Sequence, residues 1–293
     1  MKTPHGLRSQ DLVFTLYGDY LLDRDGPVAT GALLTLLGGL GMSPTAVRTV
    51  LSRMARKGWL HGTRRGTRSW YGLTARGRRL LEEGRERIYH APARRSWDGQ
   101  WSLVTYTVPE SRRRLRDALR LRLRWLGCGM LSNGVWLTPH DVTREVRAVA
   151  AELRADRYVE VFRGRHFGTR DGDELVDSCW HLRQLDVRYA AFITRWRHNF
   201  ERCASCGLTG ARAGIHQPCT EPSDCFRRRF LLVHEYRAFP LDDPYLPDAL
   251  LPEHWHGRRA AELFESYHDT LARPAVQYVA DVCRLGDAAA EAA

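Results

Sequence analysis

The sequence predicts an α+β protein built as three successive domains. Three observations predict it. The first third carries helical apolar periodicity closed by a short pair of strands. The middle alternates strand and helix in the order β-α-β…α-β. The last third is dominated by long stretches of helical period. At 293 residues and 43% apolar composition, the chain is long enough for two or three packed cores, which excludes a wholly disordered protein. The expected boundaries are 1–95, 96–170 and 171–293, with a cysteine-rich insert at 203–225 in the last domain.

In the first domain, Leu12, Leu16 and Tyr20 recur at helical spacing from Asp11 to Leu22, and Asp25-Gly26-Pro27 ends that helix. A second apolar helix follows, around Ala29 to Leu37, then the turn Gly38-Gly39-Leu40-Gly41-Met42. Ser43 is placed to cap a third helix with Pro44 at its first position, and Gly58 to end it. Val47, Val50, Leu51 and Met54 share one face and are expected in the core. Thr45, Arg48, Thr49 and Ser52 share another, flanked by Arg53 and Arg56. Trp59-Leu60-His61 and Trp70-Tyr71-Gly72-Leu73 read as short strands around a basic loop, Gly62 to Ser69, that holds Arg64, Arg65 and Arg68. Thr74 caps the helix leaving the module. The pattern is that of a winged helix-turn-helix, with the third helix suited to the major groove and the loop to phosphates or the minor groove. Arginine can pair bidentately with guanine, and Thr or Ser can bond several base edges.

Charge points the same way. The net charge is +11, and residues 1–95 carry 17 Lys/Arg against 7 Asp/Glu. The rest of the chain is nearly balanced, with 28 bases and 27 acids. Between Gly26 and Leu81 ten bases occur with no acid, so the excess sits on the predicted reading surface and implies a polyanionic partner, double-stranded DNA.

The run Ala46-Val47-Arg48 … Leu51-Ser52-Arg53-Met54 … Gly58-Trp59-Leu60 … Arg65-Gly66 … Tyr71-Gly72-Leu73-Thr74 … Gly77 … Arg87-Ile88-Tyr89 resembles the N-terminal domain of PaaX-type transcriptional repressors, which are named for the control of phenylacetate catabolism. The resemblance continues in Trp101 to Pro109, in Gly129 to Pro139 around Gly134-Val135-Trp136-Leu137, and in the stretch from Leu231 to Pro252 with Trp255 and Gly257 ahead of a final helical pair. It implies a repressor released by an aryl-acyl-CoA effector of which phenylacetyl-CoA is the family prototype. Helix-turn-helix geometry suggests a dimer on an inverted repeat. With no uncharged apolar run long enough for a bilayer span and no secretion-type apolar segment after Met1 to Gly6, a cytoplasmic protein is expected. The effector-binding residues are not readable from the sequence.

The middle domain reads as ferredoxin-like: a strand from Trp101 to Val108, a basic helix from Arg112 to Leu126, a β segment broken at Asn133-Gly134, a helix through Val146 and Leu153, and a strand from Tyr158 to Phe162. The family's central domain is similar to small CRISPR-associated ferredoxin-like nucleases, which carry a metal-binding Asp near the end of the first strand. Here Val104-Thr105-Tyr106-Thr107-Val108 holds no carboxylate, so no nuclease chemistry is expected.

The last third carries a long helix through Leu182, Leu185, Tyr189, Phe192, Trp196 and Phe200, then a second from Cys225 into the 230s. His234, Glu235, Tyr236 and Arg237 read either as a polar cluster lining a pocket or as a buried network. An enzymatic role for the His234/Glu235 pair is a rival reading, although no nucleophile is placed beside it; the leading expectation is a protein without catalytic residues. Cys203, Cys206, Cys219 and Cys225, spaced C-x2-C-x12-C-x5-C, form a candidate structural zinc site, with free thiols or an adventitious disulfide, and then a metal or redox sensor, as the alternatives. Cys128, Cys179 and Cys283 are expected as small core residues.

Overall fold

The computed structural model describes residues 8–89, 97–204 and 221–291. Helices and two antiparallel sheets make an α+β fold. No helix among these residues is long and apolar enough to cross a membrane. The chain folds into two compact units. One gathers residues 1–90, 192–237 and 259–293; the other gathers residues 91–191 and 238–258.

In the first unit, α1 (Ser9–Leu16) runs on into a π-helical turn, Tyr17–Leu21, followed by the two-residue strand β1 (Val28–Ala29), α2 (Thr30–Gly38) and α3 (Pro44–Arg56). β2 (Leu60–Arg65) and β3 (Arg68–Leu73) form a hairpin, β1 pairs with β3, and the sheet order is β1-β3-β2. α4 (Ala75–Tyr89) follows. α1, α2 and α3 bury a common apolar core that includes Leu16, Leu33, Leu37, Val47 and Leu51, each 0% exposed. Every such side chain withdrawn from water stabilises the unit by about 1.5–3 kcal/mol.

The remaining helices of this unit come from the far end of the chain. α8 (Leu182–Ala204) enters the unit at Phe192, and α9 (Pro222–Tyr236) lies wholly within it. The final helical pair expected from the sequence is instead one 35-residue helix, Gly257–Glu291, with Pro274 inside it. An interior proline costs about 3 kcal/mol. Here Phe264, Tyr267, Leu271, Ala275, Val279 and Cys283 continue one buried face on both sides of it, and their burial offsets that cost. We call this helix α11, counting α10 below.

The second unit is a four-stranded antiparallel sheet with strand order β5-β6-β4-β7, built in the order β4 (Trp101–Tyr106), α5 (Arg113–Trp125), β5 (Gly129–Ser132), β6 (Val135–Thr138), α6 (Thr143–Glu152) and β7 (Val159–Gly164). Val104, Tyr106 and Trp136 pack with Leu119 and Leu123 of α5 and Val146 of α6. α7 (Gly172–Cys179), the start of α8 and the short α10 (Phe239–Asp242) complete it.

Polar contacts fasten the first unit together. Arg229 of α9 and Asp19 of the π-turn form an ion pair 2.7 Å apart, their side chains 7% and 4% exposed. The Tyr89 hydroxyl donates to Asp19 at 2.7 Å, and His268 of α11 lies 3.3 Å from the same carboxylate. The Arg229 guanidinium also sits over the Tyr20 ring, 4.8 Å from its centroid. The polar residues His234 to Arg237 are part of the same fastening. His234 Nδ1 lies 2.8 Å from Thr15 Oγ1. Glu235 accepts from Arg195 and from the Trp196 indole at 3.0 and 3.1 Å. Tyr236 stacks on Phe264 with centroids 3.8 Å apart, and Arg237 pairs with Asp11 at 3.6 Å. His234 and Glu235 thus meet different partners among the described residues. Burial, and then the neighbouring Arg237, push the His234 imidazole down to about 4.

Removing one member of the buried pair, by Asp19→Ala or Arg229→Ala, lowers the unfolding free energy by about 3–5 kcal/mol, because the other charge is left unpaired. In a double-mutant cycle read by urea unfolding, the combined variant loses clearly less than the sum of the two; additive losses would show that the two charges do not act as a pair. A pH effect follows at His234. The unfolded imidazole takes up its proton near 6.5 while the folded one resists until about 4. Stability is therefore complete above the unfolded value and falls as pH drops through that window. Between pH 7 and pH 4 the wild type is expected to lose about 2–3 kcal/mol more than His234→Asn; parallel stability curves would contradict this.

Candidate nucleic-acid interface

The sequence of α3 dictates its two faces. Ser43 Oγ accepts the Ala46 N–H at 3.2 Å, and Pro44 occupies the first turn, where its missing N–H costs nothing. At the other end Gly58 takes φ +71°, with its N–H bonded to Ala55 O at 2.9 Å and the Trp59 N–H bonded to Met54 O at 3.0 Å, a Schellman closure. Val47, Val50, Leu51 and Met54 are buried, as the periodicity requires. Thr45, Arg48, Thr49, Ser52, Arg53 and Arg56 are all exposed. None of the three arginines of this helix forms an ion pair among the described residues.

The hairpin differs from the sequence expectation. Its strands extend through the basic segment, pairing Leu60 with Leu73 at one end and Arg65 with Arg68 at the other. The turn is only Gly66-Thr67, with Gly66 at φ +59°, a conformation that favours glycine. Thr63 and Arg64 are exposed, so this stretch lacks the apolar alternation by which a strand is recognised in sequence. Arg64 is exposed and donates its Nε–H to Gly66 O at 3.1 Å; Arg68 is half-buried. Arg65 lies on the backbone of β2.

The hairpin is seated by local contacts. Thr74 Oγ1 donates to Gly58 O at 2.8 Å and accepts the Gly77 N–H at 3.0 Å. A Cβ at Gly77 would come within 2.2 Å of Trp59 O, so only glycine allows α4 to start this close to the end of α3. Arg76 lies 4.0 Å over the Trp59 ring.

One feature of the surface was not legible in the sequence. β1 pairs Val28 with Tyr71 and Ala29 with Trp70, and Thr30 Oγ1 then donates to Ser69 O at 2.7 Å. This brings Thr30, Thr67 and Ser69 together with Arg48 and Arg68 around a hollow of about 340 Å3. A two-residue strand carries no periodic signal.

The predicted zinc ligands are divided. Cys206 and Cys219 lie outside the described residues. Cys203, at the end of α8, is buried, its Sγ 3.4 Å from the Tyr267 hydroxyl and 3.4 Å from an Arg228 nitrogen. Cys225, in the first turns of α9, is buried as well. Of the three cysteines expected in cores, Cys128 and Cys283 are buried, whereas Cys179 is only half-buried because the end of α7 borders a cleft.

Three family models match the chain. One described as PaaX-like protein covers residues 8–77, one described as the PaaX protein central Cas2-like domain covers residues 94–176, and one described as the PaaX-like protein C-terminal domain covers residues 180–281. The chain is 32% identical over 275 residues to the transcriptional repressor PaaX of Escherichia coli (strain K12), a match that spans 92% of this chain and 82% of that one. Among solved structures it is similar in fold to the uncharacterized protein Rv0674 from Mycobacterium tuberculosis, with a TM-score of 0.54 at 22% identity over 94% of this chain and 97% of that one. With this identity sustained over nearly its whole length, the chain belongs to the PaaX family.

Proposed function

We propose that this protein is a sequence-specific, DNA-binding transcriptional repressor that a small effector releases. The observation that carries the reading is the exposed face of α3, which offers Thr45, Arg48, Thr49 and Ser52 from an acid-free stretch. Its similarity to a relative named as a transcriptional repressor supports the same role. In this reading α2, the glycine turn and α3 are a helix-turn-helix, α3 enters the major groove, and β2–β3 is the wing that follows the phosphates. The second unit, whose elements run β-α-β-β-α-β, is ferredoxin-like. The repressor acts in the cytoplasm as a dimer on an inverted repeat, and the effector is an aryl-acyl-CoA such as phenylacetyl-CoA. The effector acts through a different affinity for the DNA-bound and released states.

Gel-shift titration on the promoter of the adjacent gene cluster, against random duplex, tests the reading. Arg48→Ala is expected to weaken operator binding by about 1–3 kcal/mol and to relax the sequence preference. Equal affinity of wild type and variant for both duplexes would remove α3 from the interface. Arg64→Ala is expected to weaken operator and random duplex alike and to reduce the slope of log K against log salt by about 1. A loss confined to one base position would instead make the hairpin a reader of sequence.

A further inference from the structure

In the second unit a cleft of about 630 Å3 opens beside the sheet. Two glycines make it possible. Gly127 takes φ +78°, and a Cβ there would lie 2.9 Å from Pro244 O. A Cβ at Gly129 would lie 2.6 Å from the Trp180 ring and 2.7 Å from Cys179 Cβ. The strand backbone therefore touches the α7–α8 connection directly, and the Trp180 indole is fixed there by donating to Gly127 O at 3.2 Å.

The lining is apolar and aromatic at depth and carries its charged side chains, Arg124, Arg188, Asp242 and Asp243, around the rim. Trp136, Trp180 and Leu185 are buried walls, while Met130 and Leu241 stand 40% and 52% exposed at the mouth. Exposed apolar side chains grouped around a concave site mark a binding surface, and the volume is that of a small-molecule site. Most polar groups at the rim are engaged. Asp243 accepts from the Tyr189 hydroxyl and from the Tyr245 N–H, both at 2.7 Å, and Arg188 pairs with Asp242 at 2.6 Å. Arg124, in the last turn of α5, is exposed at the rim with no carboxylate partner among the described residues. The Trp136 indole N–H is buried and finds no acceptor there either. Leaving a buried donor unmet is unfavourable, and a ligand oxygen reaching it would relieve that cost.

An aromatic wall, an unmet donor and one unpaired guanidinium together specify a flat apolar body carrying a single anionic group. We propose that this cleft binds a small aromatic carboxylate, its ring against Trp180 and Leu185 and its carboxylate on Arg124. Guanidinium–carboxylate pairs are short and directional, so the charge fixes the ligand's orientation. The site is independent of the nucleic-acid reading, because binding is measured on the full chain without DNA.

The test uses 2-naphthoate as probe and 2-naphthalenemethanol as its neutral counterpart, followed by calorimetry and tryptophan quenching. Wild type is expected to bind 2-naphthoate saturably, and more tightly than the alcohol. Arg124→Ala should weaken the carboxylate at least tenfold and leave the alcohol unchanged. Gln184→Trp, at an exposed position lining the cleft, should weaken both probes at least tenfold. Thermal unfolding of both variants should match wild type, since neither position is buried. No saturable binding by wild type, or wild-type affinity for the carboxylate in either variant, overturns the proposal; equal loss of both probes in Arg124→Ala overturns the assignment of the carboxylate to that arginine.

Discussion

Every stretch of chain that builds the first unit meets at Asp19. Tyr89 reaches it from the N-terminal stretch, Arg229 from α9 and His268 from α11. Withdrawing a carboxylate and a guanidinium from water costs several kcal/mol each, and the pair is tolerated only because its geometry and surrounding hydrogen bonds return that cost. The interaction therefore acts on register more than on net stability. Apolar faces tolerate a sliding misfit of a turn, since one leucine replaces another. A misfit of one turn here would leave two buried charges without partners. The π-turn that continues α1, which shares a core with α3, is thus held by residues more than two hundred positions away in sequence.

The same pairing shapes the charge of the surface. Acids in the first stretch are matched with arginines outside the basic segment: Asp11 with Arg237, Asp19 with Arg229 and Asp23 with Arg85. Among the described residues no carboxylate pairs with Arg48, Arg53 or Arg56 on α3. Their charges are diluted only by solvent and salt, over a screening length of about 8–10 Å. A polyanion approaching this face meets arginines whose hydrogen-bonding capacity is not already taken up by carboxylates. Net charge alone would not ensure this, because a basic domain with interleaved acids presents a weaker and patchier field.

What the sequence made legible follows from how far each determinant reaches along the chain. α3 could be read almost to the residue, because its cap, its proline and its closing glycine act within one turn of the backbone they control. The helical stretch from Leu182 onward was legible because its apolar period is long and regular. The extended β2–β3 hairpin was not, since His61 to Arg64 of β2 are exposed on both faces and β3 is half-buried along most of its length, so neither displays an alternation. The resemblance implied a final helical pair, whereas the buried stripe that continues on either side of Pro274 makes one helix. The polar residues from His234 to Arg237 left a pocket open beside the favoured reading of a network, because the choice depended on Thr15, Arg195, Trp196 and Asp11, which sequence does not place beside them. The cleft escaped for the same reason: Gly127, Gly129 and Trp180 become meaningful only once β5 lies against the end of α7.

Small residues let the last turns of α11 pack closely on α2. Near the end of α11, a Cβ at Gly286 would lie 3.0 Å from Ala32 Cβ of α2 and 3.5 Å from Ala29 Cβ. Arg24 and Asp287 pair across the same region. Long side chains at a helix contact can change rotamer and absorb a displacement, whereas alanine and glycine have no such freedom and bring backbone against backbone. A shift of the last turns of α11 must therefore move α2 or break the contact. α2 shares a core with α3, and Gly286 itself borders the hollow lined by Arg48 and Arg68. Small residues at this contact make the setting of the basic face depend on the far end of the chain, with no bound group needed to transmit the constraint.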